Sequence, residues 1–165
     1  MFVRAEAQAE ISLSLAQARL ANLARAGWLL SASQGAYGAG ATDLARADPP
    51  GPMRGKSRLV NVHFRDLAAD RGPAHLALRW EAIGPGGELF PTLDADITLS
   101  PAGEHATTLT LTGVYRPPPG NLGGELVQAV SRRVAEATIQ MFVNRIAEEI
   151  IAPGPATETG RRNHG

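Results

Sequence analysis

The first segment of the chain alternates strictly between apolar and polar residues. One parity holds the apolar side chains of Val3, Ala5, Ala7, Ala9, Ile11 and Leu13. A period of two predicts a half-buried β-strand, because successive side chains of a strand point to opposite faces of the sheet. From Ser14 the apolar residues recur at helical spacing, which predicts a helix with Ser14 as its N-cap and Gly27 just after its end.

The patterns that follow are weaker. Residues 28–37 are apolar enough for a second strand, although they also contain serine and glycine. Residues 38–56 hold glycine and proline without a period, which predicts a long loop with one short helical turn around Leu44.

Four alternating runs follow one another between residues 58 and 116. Their apolar parity holds Val60, Val62, Phe64, Leu76, Leu78, Trp80, Ala82, Leu93, Ala95, Ile97, Leu99, Leu109, Leu111, Gly113 and Tyr115. Turn-rich breaks at residues 70–73, 84–87 and 101–104 divide the runs. Short breaks between alternating runs predict consecutive antiparallel hairpins with one dry face.

A proline-rich connector then leads into one long helix. The pattern predicts this helix from Asn121 to about Ile151, which is roughly 30 residues and about 45 Å of rise. It has two apolar stripes. The first consists of Leu126, Val130, Val134, Ala137 and Met141, and the second of Ile139, Phe142, Ile146 and Ile150. A single sheet covers only one stripe, so we expect the other to meet another helix, the long loop or a second copy of the chain.

Composition narrows the class of protein. The 165 residues fit one domain, and 44% of them are apolar, which excludes an intrinsically disordered chain. Because 16 basic residues balance 16 acidic ones, no overall positive field is present to bind nucleic acid. The absence of cysteine excludes disulfides and thiolate metal sites. No apolar run approaches the ~20 residues of a membrane span, and acidic residues near the N-terminus are unlike a secretory signal, so we expect a cytoplasmic protein.

The order of elements predicts an α+β fold in which a curved antiparallel sheet of about six strands wraps around the C-terminal helix. This order, together with the segments LALRWEA, LDADITL and GVYRPP, resembles the START-like, or SRPBCC, helix-grip superfamily, which includes polyketide cyclase/dehydrase and lipid-transport proteins. The resemblance covers residues 1–151 as a single START-like domain and leaves residues 152–165 as a disordered tail. Members of the superfamily usually have two short helices after the first strand, whereas only one is clear in this sequence.

The resemblance implies a hydrophobic cavity between sheet and helix that holds a lipid-like, polyketide-like or aromatic molecule. The expected ligand contacts are Phe64, Leu78, Trp80, Ala95, Ile97, Leu111, Gly113, Tyr115, Arg116, Val130, Val134 and Met141. Trp80 and Tyr115 offer flat surfaces with a polar handle, although both types are also ordinary core residues. Arg116 is expected at the cavity mouth, where it either binds a carboxylate or phosphate head group or is simply solvated.

Small inward residues such as Ala95 and Gly113 have two interpretations. They leave room for a ligand that occupies on the order of several hundred Å³, or they let the long helix approach the sheet closely. The outward pairs Arg79/Glu81 and Asp94/Asp96 are expected to form a surface charge ladder rather than a metal site.

None of the residues at the inward strand positions has a side chain that titrates near neutral pH. General acid–base catalysis needs a side chain of that kind. We therefore expect binding or transport of a hydrophobic small molecule, with no catalytic residue, cofactor or metal. Two alternatives stay open. One is a cyclase or dehydratase that positions its substrate by shape alone. The other is a homodimerising interaction protein that uses the second stripe of the long helix as its interface.

Overall fold

The computed structural model describes residues 1–47, 60–66, 75–82, 91–116 and 124–152, and side chains within 1–40, 75–82, 91–116 and 129–152. The elements, in chain order, are β1 (Phe2–Ala9), α1 (Leu13–Arg25), α2 (Trp28–Ala47), β2 (Val60–Asp66), β3 (His75–Ala82), β4 (Thr92–Pro101), β5 (Thr107–Arg116) and α3 (Gly124–Ile151). This is the α+β helix-grip order that the sequence predicts. Apart from Ala152, the predicted tail lies outside the described residues.

The described strands form one antiparallel sheet in the order β1-β5-β4-β3-β2. The four consecutive strands β2 to β5 make the predicted meander, and β1 closes onto β5 with Ala5 opposite Leu111. The described sheet has five strands rather than about six, because residues 28–37 are not a strand. The predicted inward parity is confirmed for the described inward residues of β3 to β5, which are buried except for half-buried Ala82 and Gly113. The side chains of Val60, Val62 and Phe64 lie outside the described ones.

The boundary between α1 and α2 is well explained by local sequence. Ser12, rather than the expected Ser14, occupies the N-cap position of α1. Gly27 has a φ of 76° and follows the last turn of α1, as predicted, because glycine adopts left-handed backbone without a steric penalty. The carbonyl of Gly27 then accepts a hydrogen bond from the amide of Ser31 at 3.1 Å, which begins the next helix.

Helix α2 contradicts two expectations, because residues 28–37 are helical and so is the first part of the predicted loop, up to Ala47. The remainder of that loop, residues 48–56, lies outside the described residues. The buried side of α2 is formed by Leu29, Ala32, Ser33, Ala36, Tyr37 and Gly40. Serine and glycine are weak helix formers, but here their small size lets α2 lie close to α3, and this packing outweighs propensity. A Cβ atom added to Gly40 would lie 2.8 Å from Thr138 Oγ1. With α2, the chain has both helices that the resemblance implies after β1.

Helix α3 covers the concave face of the sheet with one continuous stripe. The buried residues are Ser131, Ala135, Thr138, Ile139, Phe142, Val143, Ile146, Ala147 and Ile150. The second apolar stripe is therefore core, and the expectation that it forms an exposed dimer surface is wrong. Burying a large aliphatic or phenyl side chain contributes ~1.5–3 kcal/mol, so the stripe with isoleucine and phenylalanine faces the sheet. On the first stripe, Val130 and Met141 are 37% and 48% exposed.

Two side chains tie α3 to other elements. Arg19 of α1 donates through Nη1 to the carbonyl oxygens of Ile150 and Ile151, at 2.5 and 2.9 Å. These carbonyls lie at the end of α3, where a positive charge is favourable. Gln140 donates to the backbone carbonyl of Glu6 at 2.8 Å. Because β1 is at the edge of the sheet, this bond occupies an acceptor that another strand could otherwise pair with.

The convex face of the sheet bears the predicted charge ladder. Arg79 contacts Glu81 at 2.9 Å and Asp94 at 3.1 Å, and Asp94 also contacts Arg116 at 2.6 Å. The ladder is thereby confirmed. Its members are largely exposed, so each pair contributes little to stability, typically ~0–1 kcal/mol.

Candidate functional site

A pocket lies between α2, α3 and one end of the sheet. At this end are the last residues of β3 and β5 and the first residues of β4. Its described lining residues are Tyr37, Gly40, Trp80, Pro91, Tyr115, Val134, Ala135, Thr138 and Ile139. The cavity volume is about 20 Å³. A buried water needs ~10–15 Å³ by the same measure, so the pocket has room for about one water molecule. It is much smaller than the several hundred Å³ that small inward residues suggested.

Strand register brings the two aromatic wall residues of the sheet together. Trp80 on β3 is opposite Leu93 on β4, and Leu93 is opposite Tyr115 on β5. All three share the inward parity, and Leu93 is fully buried between the two aromatic residues. The sheet therefore presents an indole and a phenol on either side of an aliphatic residue, facing the helices.

The indole ring of Trp80 is held by two edge-to-face contacts. Its centroid lies 6.3 Å from that of Tyr37 on α2, at an interplanar angle of 89°. The centroid of Phe142 on α3 is 5.1 Å away, at 73°. Such T-shaped pairs place a positive ring edge against a negative ring face and fix ring orientation. Tyr37 is itself anchored, because its hydroxyl donates to the carbonyl of Pro91 at 2.8 Å in a buried hydrogen bond.

The electrostatics of the pocket are those of neutral groups. Burial raises the pKa of Tyr37 well above its usual value. Burial also raises the pKa of Tyr115, with a smaller contribution from the neighbouring Tyr37. Both phenols are therefore protonated at neutral pH. The described lining contains no carboxylate, imidazole or basic side chain, so it has no group suited to general acid–base work near pH 7.

One polar atom in the pocket wall lacks a partner. Trp80 Nε1 is buried and makes no hydrogen bond to any described residue. The same holds for the hydroxyl of Ser33, which is buried on α2 but is not part of the pocket wall. A buried donor without an acceptor typically costs ~1–3 kcal/mol, so such groups are uncommon.

The residues expected to contact a ligand lie in different places. Trp80, Tyr115 and Val134 line the pocket. Leu78, Ala95, Ile97 and Leu111 are buried on the inward face, outside the pocket wall as described. For Phe64 only the backbone is described, paired with Leu78. Their contact with a ligand stays a prediction. Val130 and Met141 are exposed on α3, because the other stripe of the helix faces the sheet.

The structure assigns Gly113 a packing role. A Cβ atom there would lie 2.4 Å from the carbonyl oxygen of Asp94 and 2.6 Å from Ala95 Cβ. No atom fits at those distances, so glycine is needed for the close approach of β5 to β4. The interpretation that it leaves room for a ligand is not supported by this geometry.

Arg116 is oriented differently from the expectation. It follows the inward residue Tyr115, so its side chain points to the convex face, where it pairs with Asp94. The guanidinium thus contacts Asp94 rather than the described pocket lining, and its contact with a ligand stays a prediction.

Sequence reasoning missed six pocket residues as ligand contacts, namely Tyr37, Gly40, Pro91, Ala135, Thr138 and Ile139. A signal for the first two was present, because the small and apolar residues of α2 recur at intervals of three and four. Similarly, Ala135 and Thr138 precede Ile139 and Phe142 on the same helical stripe. No comparable local signal marks Pro91.

Other kinds of site find no support in the described part of the chain. It contains no group of three or more histidine, aspartate or glutamate side chains that could hold a metal ion. None of the helices, over their described residues, has the length and apolar character needed to cross a membrane.

Comparisons with known proteins give likenesses in overall structure. No family model and no curated protein matches the chain. A protein from Thermus thermophilus is 14% identical, with a TM-score of 0.47 over 92% of this chain and 98% of that one. The Zhui aromatase/cyclase from Streptomyces sp. R1128 is 13% identical, with a TM-score of 0.44 over 91% and 93% of the two chains.

Norcoclaurine synthase from Thalictrum flavum, in complex with dopamine and hydroxybenzaldehyde, is 10% identical, with a TM-score of 0.44 over 93% of this chain and 88% of that one. These likenesses extend along most of each chain. The helix-grip assignment itself rests on the strand order and on the packing of α3 described above.

Proposed function

We propose that the protein is a cytoplasmic binding or carrier protein that holds a small, apolar, ring-containing molecule between α2, α3 and the sheet. The observation that supports this proposal is the chemistry of the pocket wall. Three aromatic side chains, those of Tyr37, Trp80 and Tyr115, converge there, and the described lining bears no charge. Ligand sites are typically concave and mostly apolar, with few polar groups, and aromatic faces supply large contact areas for flat molecules.

The small volume constrains how a ligand enters. A ring of six carbons needs more than the space for one water, so the pocket wall has to widen as the ligand binds, and separation of α2 from α3 is one way to provide the space. Beside the pocket, the contact between these helices involves small groups, with Gly40 against Thr138. The hydrogen bond from Tyr37 to Pro91 ties α2 to the start of β4. Breaking these contacts reduces affinity, which favours a compact ligand over a long one.

Catalysis is less well supported than binding. The phenols of Tyr37 and Tyr115 stay neutral, because burial raises the pKa of each. They can donate or accept hydrogen bonds, but they are poor bases at neutral pH. A shape-directed cyclase needs space for a folded chain, and no observation on the described lining favours that alternative.

Fluorescence of Trp80 tests the proposal directly. The chain has two tryptophans, so Trp28→Phe leaves Trp80 as the sole source of emission. Titration with ethylbenzene should shift this emission saturably, whereas decanoate, which is long and charged, should not. The reciprocal variant, Trp80→Phe, should show no saturable change in the emission of Trp28. Absence of a saturable change for Trp80 with either compound would contradict binding in this pocket.

A matched pair of substitutions on α3 locates the site. Ala135 lines the pocket and is 2% exposed, whereas Ala137 lies on the solvent side of the same helix. Ala135→Val fills the pocket and should weaken ethylbenzene binding about 10-fold or more, since overpacking a closed site is unfavourable. Ala137→Val should leave the affinity unchanged. Equal weakening by both variants would show that the ligand binds elsewhere.

A further inference from the structure

The buried indole donor of Trp80 carries information about the chemistry of the ligand. Trp80 is 3% exposed and lines the pocket, and its Nε1 has no acceptor among the residues that the structure describes. An indole N–H can only donate a hydrogen bond. Since buried donors are nearly always paired, the unpaired N–H of this pocket residue is the group that calls for an acceptor.

Two aromatic contacts hold the indole ring in the orientation in which Nε1 has no acceptor. Tyr37 and Phe142 contact the indole in two T-shaped pairs, at 6.3 and 5.1 Å between centroids, which fixes the plane of the ring. The hydroxyl of Tyr37 is held by its hydrogen bond to the carbonyl of Pro91 and does not accept from Nε1. The indole is thus held in one orientation without an acceptor, which is the arrangement of a preorganised donor.

The described lining of the pocket disfavours one class of acceptor. No arginine, lysine or histidine belongs to its described lining. The nearby strand residues Arg79 and Arg116 point to the convex face and contact Asp94. A carboxylate or phosphate placed beside Trp80 would lose its hydration without gaining a counter-ion, which is strongly unfavourable.

We propose that the ligand is an uncharged, planar molecule with a carbonyl or similar hydrogen-bond acceptor, and that Trp80 Nε1 donates to this acceptor. The inference rests on the proposed function, because it concerns the same pocket. It predicts discrimination between ketones, hydrocarbons and carboxylates of one size. The donor favours the ketone over the hydrocarbon, and the uncharged wall disfavours the carboxylate.

Three probes of similar shape test this order: acetophenone, ethylbenzene and benzoate. Binding is followed in the full chain, labelled with ¹⁵N, by NMR titration. Acetophenone should bind about 5–10-fold more tightly than ethylbenzene, which corresponds to one neutral hydrogen bond. Benzoate should bind most weakly. The indole proton of Trp80, assigned by its loss in Trp80→Phe, should move downfield with acetophenone and not with ethylbenzene.

Two variants distinguish the contribution of the Trp80 N–H donor to binding from that of its aromatic ring. Trp80→Phe keeps an aromatic side chain but removes the N–H, so the preference for acetophenone over ethylbenzene should disappear while ethylbenzene still binds. Trp28→Phe, whose ring is outside the described pocket lining, should retain the preference. If Trp80→Phe does not fold, the role of Nε1 is tested in the unmodified protein. The relative affinities for acetophenone and ethylbenzene and the shift of the indole proton then give the result.

The outcomes distinguish this inference from the function on which it rests. Equal affinities for acetophenone and ethylbenzene would overturn the role of Nε1 and leave binding of apolar rings intact. Tighter binding of benzoate would overturn the exclusion of anions. If none of the three probes binds saturably, the proposed function itself fails.

Discussion

The two halves of α3 pack against the same sheet in different ways. In the C-terminal half, Phe142, Val143, Ile146 and Ile150 are completely buried, and Arg19 holds the last carbonyls. At the pocket, which adjoins the N-terminal half, the sheet and α2 present aromatic rings, and the helix presents Ala135, Thr138, Ile139 and half-buried Val134.

The C-terminal half of α3 is therefore a tightly packed hydrophobic core, whereas the region of the pocket is suited to bind a ligand. Aliphatic side chains that interlock at close-packed density leave no space, and opening them forfeits many contacts. Small residues beside rigid rings leave a gap, which here is about 20 Å³. The gap also contains polar atoms, so a ligand can be recognised as well as accommodated.

The largest expected effect is a cavity in the C-terminal half. Ile146→Ala removes a fully buried side chain and should lower the free energy of unfolding by ~2–5 kcal/mol. Val134→Ala, on the same helix but half-buried at the pocket, should cost about 1 kcal/mol or less. Urea denaturation of both variants measures the contrast. Similar losses would mean that the two halves of α3 are packed equally tightly.

Substitutions at two glycines of α2 test whether α2 lies close to α3 beside the pocket. In Gly40→Ala the new methyl group would lie 2.8 Å from Thr138 Oγ1, so the free energy of unfolding should fall by ~1–3 kcal/mol. Gly38 is the matched control, since a Cβ there has no heavy atom within 4 Å. Gly38→Ala should stabilise the helix by ~0.5–1 kcal/mol. Thermal unfolding of the two variants should move in opposite directions, and a stabilising Gly40→Ala would show that α2 is not held against α3.

The smallest effect at neutral pH concerns the tyrosines of the pocket. Tyr37→Phe removes the buried hydrogen bond to Pro91 and should cost ~1 kcal/mol at pH 7. Burial raises the pKa of both tyrosines above the ordinary value of 10.0, so their neutral forms are favoured in the folded state. Stability is therefore retained below pH 10 and lost as the pH rises towards the folded-state pKa, because the unfolded chain ionises first.

Denaturation at a series of pH values measures how much the free energy of unfolding falls above pH 10. The chain has only two tyrosines, and both are buried, so no exposed phenol obscures the measurement. Each should contribute a slope of up to ~1.4 kcal/mol per pH unit above pH 10. Tyr37→Phe should reduce the combined slope by about half. An unchanged slope, or phenolate absorbance that appears before unfolding, would mean that the pocket admits solvent freely.

Individual strands and helices show which parts of the fold could be predicted from local sequence patterns. The alternating residues of β4 and β5 predicted both the strands and the face that each side chain occupies, because period two is a property of the strand itself. Helix α2 was predicted wrongly. Its glycine and serine residues weaken the local signal for a helix, so the helix depends on packing against α3 for part of its stability.

The site was predicted only in part for a similar reason. Trp80 and Tyr115 followed from strand parity, but their meeting with Tyr37 required knowledge that α2 is a helix and lies over this end of the sheet. The choice between the two stripes of α3 could not be made from the sequence, since both are apolar. It was decided by which set of side chains buries more surface against the residues opposite.

The amino-acid sequence by itself determined the strand meander, the inward parity, the convex charge ladder and the presence of a long terminal helix. Each of these depends on neighbours along the chain or on simple alternation. Only the tertiary structure decided which stripe of α3 is buried, that α2 is a helix, and that the hollow under the sheet is small. These features depend on the volumes of side chains that are distant in sequence and meet only when the chain is folded.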